Sequence, residues 1–459
     1  MGERSSQSEC QRARRRGLPA ARRALLGLAL LTVSIQAGAQ TQSKTPAPAK
    51  SQSSASTEGQ TPAKIEALLH DSEDALNRND FAAAVTSLKA LLDLQPDLTP
   101  AWFSLGYAYT GLHQNDDAVA AYRTAIEHEP DLFEARINLG ILLVEMNRPQ
   151  DALEHLKKAS ALKPENARAH LYFGRALAAA GQAEAAQKQF QETLKLDPAS
   201  AIAHFDLAQI ELNQKQFEEA RAEFEKAASL DGHLAQALLG AALALEGLKR
   251  NADAATYFEK YLAAQPDDLE TRFHLAKINL QEGKNEEALV NLQKVYQAKP
   301  GLAGLAAALG DVNALLKKLP DSEKFYREAL AETPDDSDLH RALGKTLLDE
   351  EKLEPAENEF RAALKLNPQN REALHGLAAT LYLEKRYPET IPLLEARTQE
   401  PDPPAEAFFL LATCYDHLRI NQKALAAYER FLAIAQDENP DQVWQAQQRA
   451  KLLRHMLEK

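Results

Sequence analysis

The chain has 459 residues, 45% hydrophobic and 26% charged, the balance of a folded protein rather than of a disordered or collagen-like one. Lys plus Arg number 53 against 66 Asp plus Glu, and a formal net charge of −13 lacks the basic stripe that nucleic-acid binding needs. No apolar run reaches the ~20 residues of a spanning helix, which argues against a polytopic membrane protein.

At the N-terminus, Arg12, Arg14, Arg15, Arg16, Arg22 and Arg23 precede an apolar run from Ala24 to Val33, and Ala37-Gly38-Ala39 follows it. Basic, apolar and small-residue regions in that order predict a secretory signal peptide over residues 1–39, cut after Ala39. A membrane anchor is the rival reading, for which the run is too short. Arg22-Arg23 alone, inside so Arg-rich a stretch, does not point to the twin-arginine route. Cleavage removes seven Arg and two Glu and moves the net charge to −18. Cys10 leaves with the signal and Cys414 remains alone, so no internal disulfide is expected. Residues 40–64, dominated by Gln, Ser, Thr, Pro and Ala, are predicted to be a flexible linker, because they bury too little surface to offset ordering entropy. The expected location is periplasmic or extracellular.

Everything beyond is periodic. Pro96, Pro130, Pro164, Pro198, Pro266, Pro300, Pro334 and Pro368 are separated by 34 residues or twice that. Chance would put about half a proline in the ten frame positions. With this proline as position 32, eleven units of 34 residues run from Ile65 to Glu438. Position 8 is always small (Gly106, Gly140, Gly174, Ala208, for example), position 20 is Ala in nine units, and position 24 is always large, as in Tyr122, Leu156, Phe190 and Phe224. Apolar residues at 4, 7, 8 and 11, and again at 20, 24 and 27, predict two amphipathic helices per unit. Small residues at 8 and 20 let those helices approach closely, and the large residue at 24 fills the space beside them. The first and eighth units are the weak ones, with Asp71 in the first and Ala306, Asn313 and Ser322 in the eighth. After Asn439-Pro440, residues 439–459 are predicted to be a capping helix with Val443, Ala446, Ala450, Leu453 and Leu457 on one face.

This pattern resembles the tetratricopeptide repeat. The second unit carries it almost whole in Trp102, Leu105, Gly106, Tyr109, Ala118, Tyr122, Ala125 and Pro130. The resemblance implies an all-α fold, a right-handed superhelical α-solenoid of helix-turn-helix repeats, with first helices lining a concave groove that takes peptides or helices of partner proteins. Positions 2, 5, 9 and 12 would face that groove. Position 5 is apolar over six consecutive units: Phe103, Ile137, Leu171, Phe205, Leu239 and Phe273. Tyr107 joins them at position 9, and Arg175, Lys277 and Lys345 place isolated positive charges there. These seven apolar residues are the candidate partner-binding groove, since a contiguous apolar patch marks an interaction site. The alternative is that position 5 packs between neighbouring first helices. Arg341 and Lys345 begin a carboxylate-clamp pattern, but Gly376 stands where a polar residue should follow, so a chaperone-tail clamp is not expected.

No motif for chemistry emerges. HExxH, paired CxxC, GxSxG and Walker sequences are absent. His170, His204 and His340 share position 4, the slot of Trp102, and read as repeat packing rather than metal ligands. Cys414, Asp416 and His417 lie close in sequence, yet on one helix they lack the third orienting group of a triad, and a lone Cys behaves as a small hydrophobe. Neither a cofactor nor a metal is expected. The expectation is a non-catalytic scaffold with protein or peptide partners, in envelope assembly or secretion. The alternative is an accessory subunit of an envelope enzyme complex, such as one for polysaccharide synthesis or export.

Overall fold

The structure is a computed structural model that describes residues 60–435 and 440–458. The signal peptide read at residues 1–39, most of the linker and Asn439 lie outside the described residues. The chain divides between Ile210 and Glu211 into two compact units, and among the described residues every regular element is an α-helix.

In the first unit, α1 (Gln60–Asn77) and α2 (Phe81–Leu94) are followed by α3 (Thr99–Gly111), α4 (Asn115–His128), α5 (Phe133–Glu145), α6 (Pro149–Leu162), α7 (Ala167–Ala179), α8 (Ala183–Leu196) and the start of α9 (Ala201–Asn213). The second unit continues with α10 (Phe217–Leu230), α11 (Ala235–Gly247), α12 (Asn251–Ala264), α13 (Leu269–Gln281), α14 (Asn285–Ala298), α15 (Leu305–Leu315), α16 (Leu319–Glu332) and α17 (Ser337–Asp349). It ends with α18 (Leu353–Leu366), α19 (Arg371–Leu383), α20 (Tyr387–Arg397), α21 (Ala405–His417), α22 (Asn421–Ile434) and α23 (Pro440–Leu457). Within each unit a helix packs on its sequence neighbours, and first helices of adjacent pairs also touch, as α3 does α5 and α17 does α19. Such packing is the α-solenoid arrangement, in which each helix pair buries its apolar face only against the pairs beside it.

One backbone device joins the two helices of each pair. Position 15 is left-handed throughout, at Asn79, His113, Asn147, Gly181, Lys215, Lys249, Gly283, Lys317, Glu351, Lys385 and Arg419. The next N–H then donates to the carbonyl five residues back, as Asp80 does to Ala75, Arg148 to Leu143 and Lys284 to Asn279, each at 2.8 Å. This closes the last turn of the first helix by a Schellman bond.

The core follows the period. A Cβ added at Gly174 would stand 2.6 Å from the Phe190 ring, and at Gly310 2.5 Å from that of Tyr326. The position-24 side chain therefore lies directly on the bare backbone of position 8. Gly376 has a similar reason to be glycine, since the Phe360 ring lies where its Cβ would be.

The differences from the sequence reading are local. Helix α1 begins at Gln60, so residues 60–64, expected to be linker, are helical. Pro62 sits in the first turn, where its missing N–H costs nothing. In the eighth pair, α15 starts late, after Gly304 at φ 74°. Its small Ser322 is tied in by bonds of Oγ to the Gly310 carbonyl (3.0 Å) and Thr346 Oγ1 (3.2 Å). In α23, Ala446, Ala450 and Leu453 are buried, but Leu457, at the helix end, is exposed.

Candidate functional site

The seven groove residues are largely packed. Ile137, Leu171 and Phe273 are buried, while Phe103, Tyr107, Phe205 and Leu239 are half-buried. Phe103 leans on Tyr122 with ring centroids 5.9 Å apart, and Tyr107 meets Phe81 edge to face at 6.0 Å. Two of the three position-9 cations are engaged. Arg175 donates to Asp206 at 2.5 and 3.3 Å, and Lys277 lies 4.5 Å from the centre of the Phe273 ring.

In the second unit, where the apolar stripe ends, the same face opens into a recess of about 550 Å³. Leu280 and Gln281 from α13, Asp311, Ala314 and Leu315 from α15, and Arg341, Ala342, Lys345 and Asp349 from α17 line it, with Tyr326 of α16 and Lys317 of the α15–α16 turn. The first-helix residues among these stand at positions 5, 6, 9, 12 and 13 of their units. Small side chains make the space: Ala314 and Ala342 lie where bulk would close it.

The polar groups in the recess are mostly paired. The Tyr326 hydroxyl donates to Asp311 Oδ1 at 2.6 Å. Burial, reinforced by the Asp311 charge, holds that phenol far above its usual range, so it stays a neutral donor. Arg341 bonds Glu372 at 2.8 Å, and Lys317 lies 3.6 Å from Asp349. Lys345 is exposed and carries no ion pair among the described residues, and beside it Leu315 is 57% exposed. A cation next to an aliphatic surface can hold a carboxylate and an apolar side chain together. Arg341 and Lys345 were visible in the sequence. The recess was not, because it is made by absent bulk.

The position-4 side chains have a structural partner. Trp102 Nε1 donates to the Pro96 carbonyl at 2.6 Å, and Arg136 Nε to that of Pro130 at 2.6 Å. His170, His204 and His340 reach the carbonyls of Pro164, Pro198 and Pro334 at 3.0, 3.2 and 3.0 Å, and Arg272 reaches Pro266 at 3.0 Å. Each of these donors bonds the proline that ended the preceding helix pair. The histidines thus serve the repeat, and among the described residues no cluster of His, Cys, Asp or Glu is suited to a metal.

Cys414 is fully buried, and burial pushes its thiol up to about 12. Asp416 accepts from Arg449 at 2.7 and 2.6 Å, and His417 stacks on Tyr387 at 4.7 Å. The three side chains are each committed to packing or pairing elsewhere.

Helix pairs of this kind, repeated with small residues at 8 and 20 and a left-handed turn between, define a class of helical-repeat proteins that present surfaces to other proteins. The tetratricopeptide-repeat model matches residues 72–131, 173–235, 239–303 and 341–406. Further models of the same repeat match 110–170, 143–198, 279–346 and 406–435. The chain belongs to the tetratricopeptide-repeat family, whose members are in general non-catalytic interaction scaffolds.

Solved structures similar to it include MamA from Desulfovibrio magneticus, 23% identical over 37% of this chain and 97% of that one (TM-score 0.36). PilF of Pseudomonas aeruginosa is 21% identical over 44% and 93% (TM-score 0.39), and yeast Tom70 is 16% identical over 87% and 97% (TM-score 0.32). Among curated proteins nothing matches. Among the described residues no helix is long and apolar enough to cross a membrane.

Proposed function

We propose that this protein is a non-catalytic scaffold of the bacterial cell envelope, exported and cleaved after Ala39, which binds a segment of a partner protein along the face formed by its first helices. The observation that carries the binding reading is the recess around Lys345. It offers a cation without a carboxylate partner, an exposed Leu315 and a half-buried Leu280 within one concavity. The matching partner segment carries an acidic residue next to an apolar one. In the first unit, the half-buried faces of Phe103, Tyr107 and Phe205 are the proposed contacts, and in the second that of Leu239, while Ile137, Leu171 and Phe273 are buried. Export rests on the arginine-rich start, the apolar run and Ala37-Gly38-Ala39.

The test is capture from envelope extract by residues 40–459, beside a Lys345→Glu, Leu315→Asp double variant with unchanged helicity and melting. A protein retained by the parent and lost by the variant supports the recess as its binding site. Equal capture by both sinks that assignment. Sequencing the N-terminus of the protein from cell fractions checks the export reading, with Gln40 expected first.

A further inference from the structure

Position 11 of the repeat is a core position, apolar in eight of the units, as at Leu143, Leu177, Leu245 and Leu381, and taken by Asn279 and Asn313 in two more. In the fifth unit it is Glu211. That carboxylate is only 6% exposed, and its Oε2 is buried with no hydrogen-bond partner. The charged groups that act on it are Glu219 and Glu223 of α10, both acidic. Of the two bases on that helix, Arg221 is bound to Glu218 and Glu225 at 3.0 Å each, and Lys226 is not among the charges that act on Glu211. The acid of the next helix, Glu246 of α11, is bound to His274 at 2.8 Å.

We infer that Glu211 is a built-in pH-sensitive opening point: the segment 211–230 stays packed while this carboxyl is protonated and loosens as it ionises. A buried acid without a donor is tolerable neutral and costly charged, and the carboxylates facing it add to that cost. Burial first, then Glu223 and Glu219, push the group up to about 7. An opened segment lets the carboxyl ionise near its ordinary value of 4.5. The folded value is the higher one, so the stability held by the proton is complete below the ordinary value. It is lost as pH rises and is gone above about 7. The scaffold would hold this stretch firmly in mildly acidic surroundings and release it near neutrality.

Hydrogen exchange of the α10 amides in the full chain, corrected for the intrinsic rate, reads this directly. Between pH 5 and 7 the opening constant of the parent is expected to rise up to about tenfold per pH unit and then level off. In Glu211→Gln, which has the same shape and no titration, the profile should be flat. Glu211→Leu places there the residue that five units carry at this position, and it gives the same flat profile should the amide pack poorly. A slope shared by the parent and both variants overturns the inference, as does a parent profile that is flat.

Discussion

Trp102, Arg136, His170, His204, Arg272 and His340 differ in size and charge, yet each directs an N–H to a proline carbonyl six residues earlier. The shared property is the donor. Trp102→Phe keeps the ring and removes the donor, and should lower stability by about 1 kcal/mol, measured by urea unfolding. The carbonyl it leaves behind can reach water, which keeps the cost modest. At position 8 the expected effect is larger. Gly174→Ala forces a methyl into the Phe190 ring and should cost about 1–3 kcal/mol. Gly344→Ala, whose Cβ would meet Phe360 at 3.0 Å, should cost less. Equal losses at the two glycines would show that helix propensity rather than packing decides. Cys414 should resist a thiol reagent in the native protein at pH 8 and react at once in denaturant, since its burial removes both access and thiolate.

At the scale of the helix pair, the left-handed position 15 is held by Lys or another side-chain-bearing residue in nine places and by Gly in two. Lys249→Gly should therefore stabilise by about 0.5–1 kcal/mol, and Gly283→Ala should destabilise by a similar amount. No neighbour lies within 4 Å of a Cβ at Gly283, so the second effect would be purely conformational. Thermal melting of the two variants, shifted in opposite directions, checks both. This turn also marks where sequence reading stopped. Period, pairing and the 8–20–24 contact were legible, because they rest on which residue types recur. The left-handed turn was not, since Lys, Asn, His and Arg at position 15 carry no glycine signal. The candidate site was legible in part: Arg341 and Lys345 stood out, but Gly376 was read for its lack of polarity when its role is to admit the Phe360 ring. The position-5 stripe was legible as a row, but spacing alone does not separate its buried members, Ile137, Leu171 and Phe273, from its half-buried ones, Phe103, Phe205 and Leu239.

At the scale of the array, the described helices within each compact unit pack on partners close by in sequence. Stability is then a sum of pair and neighbour terms, without a single core to lose at once. Unfolding should depart from two-state behaviour, with fluorescence of Trp102 and Trp444 tracing a different urea curve from circular dichroism. Coincident curves would argue for one cooperative block. A substitution such as Gly174→Ala should raise hydrogen exchange around residues 133–196 and leave residues 371–434 unchanged.

The bond from position 4 to the proline before it also sets a rule for editing the chain. Excising residues 167–200, one period of 34, would bring His204 to the sixth residue after Pro164, the register that His170 holds now. Excising 30 residues from the same place would set His204 out of register and leave the carbonyl without its donor. The chain is in this sense modular by whole periods only, so duplications and losses that respect the period can change the number of helix pairs without inventing a new joint.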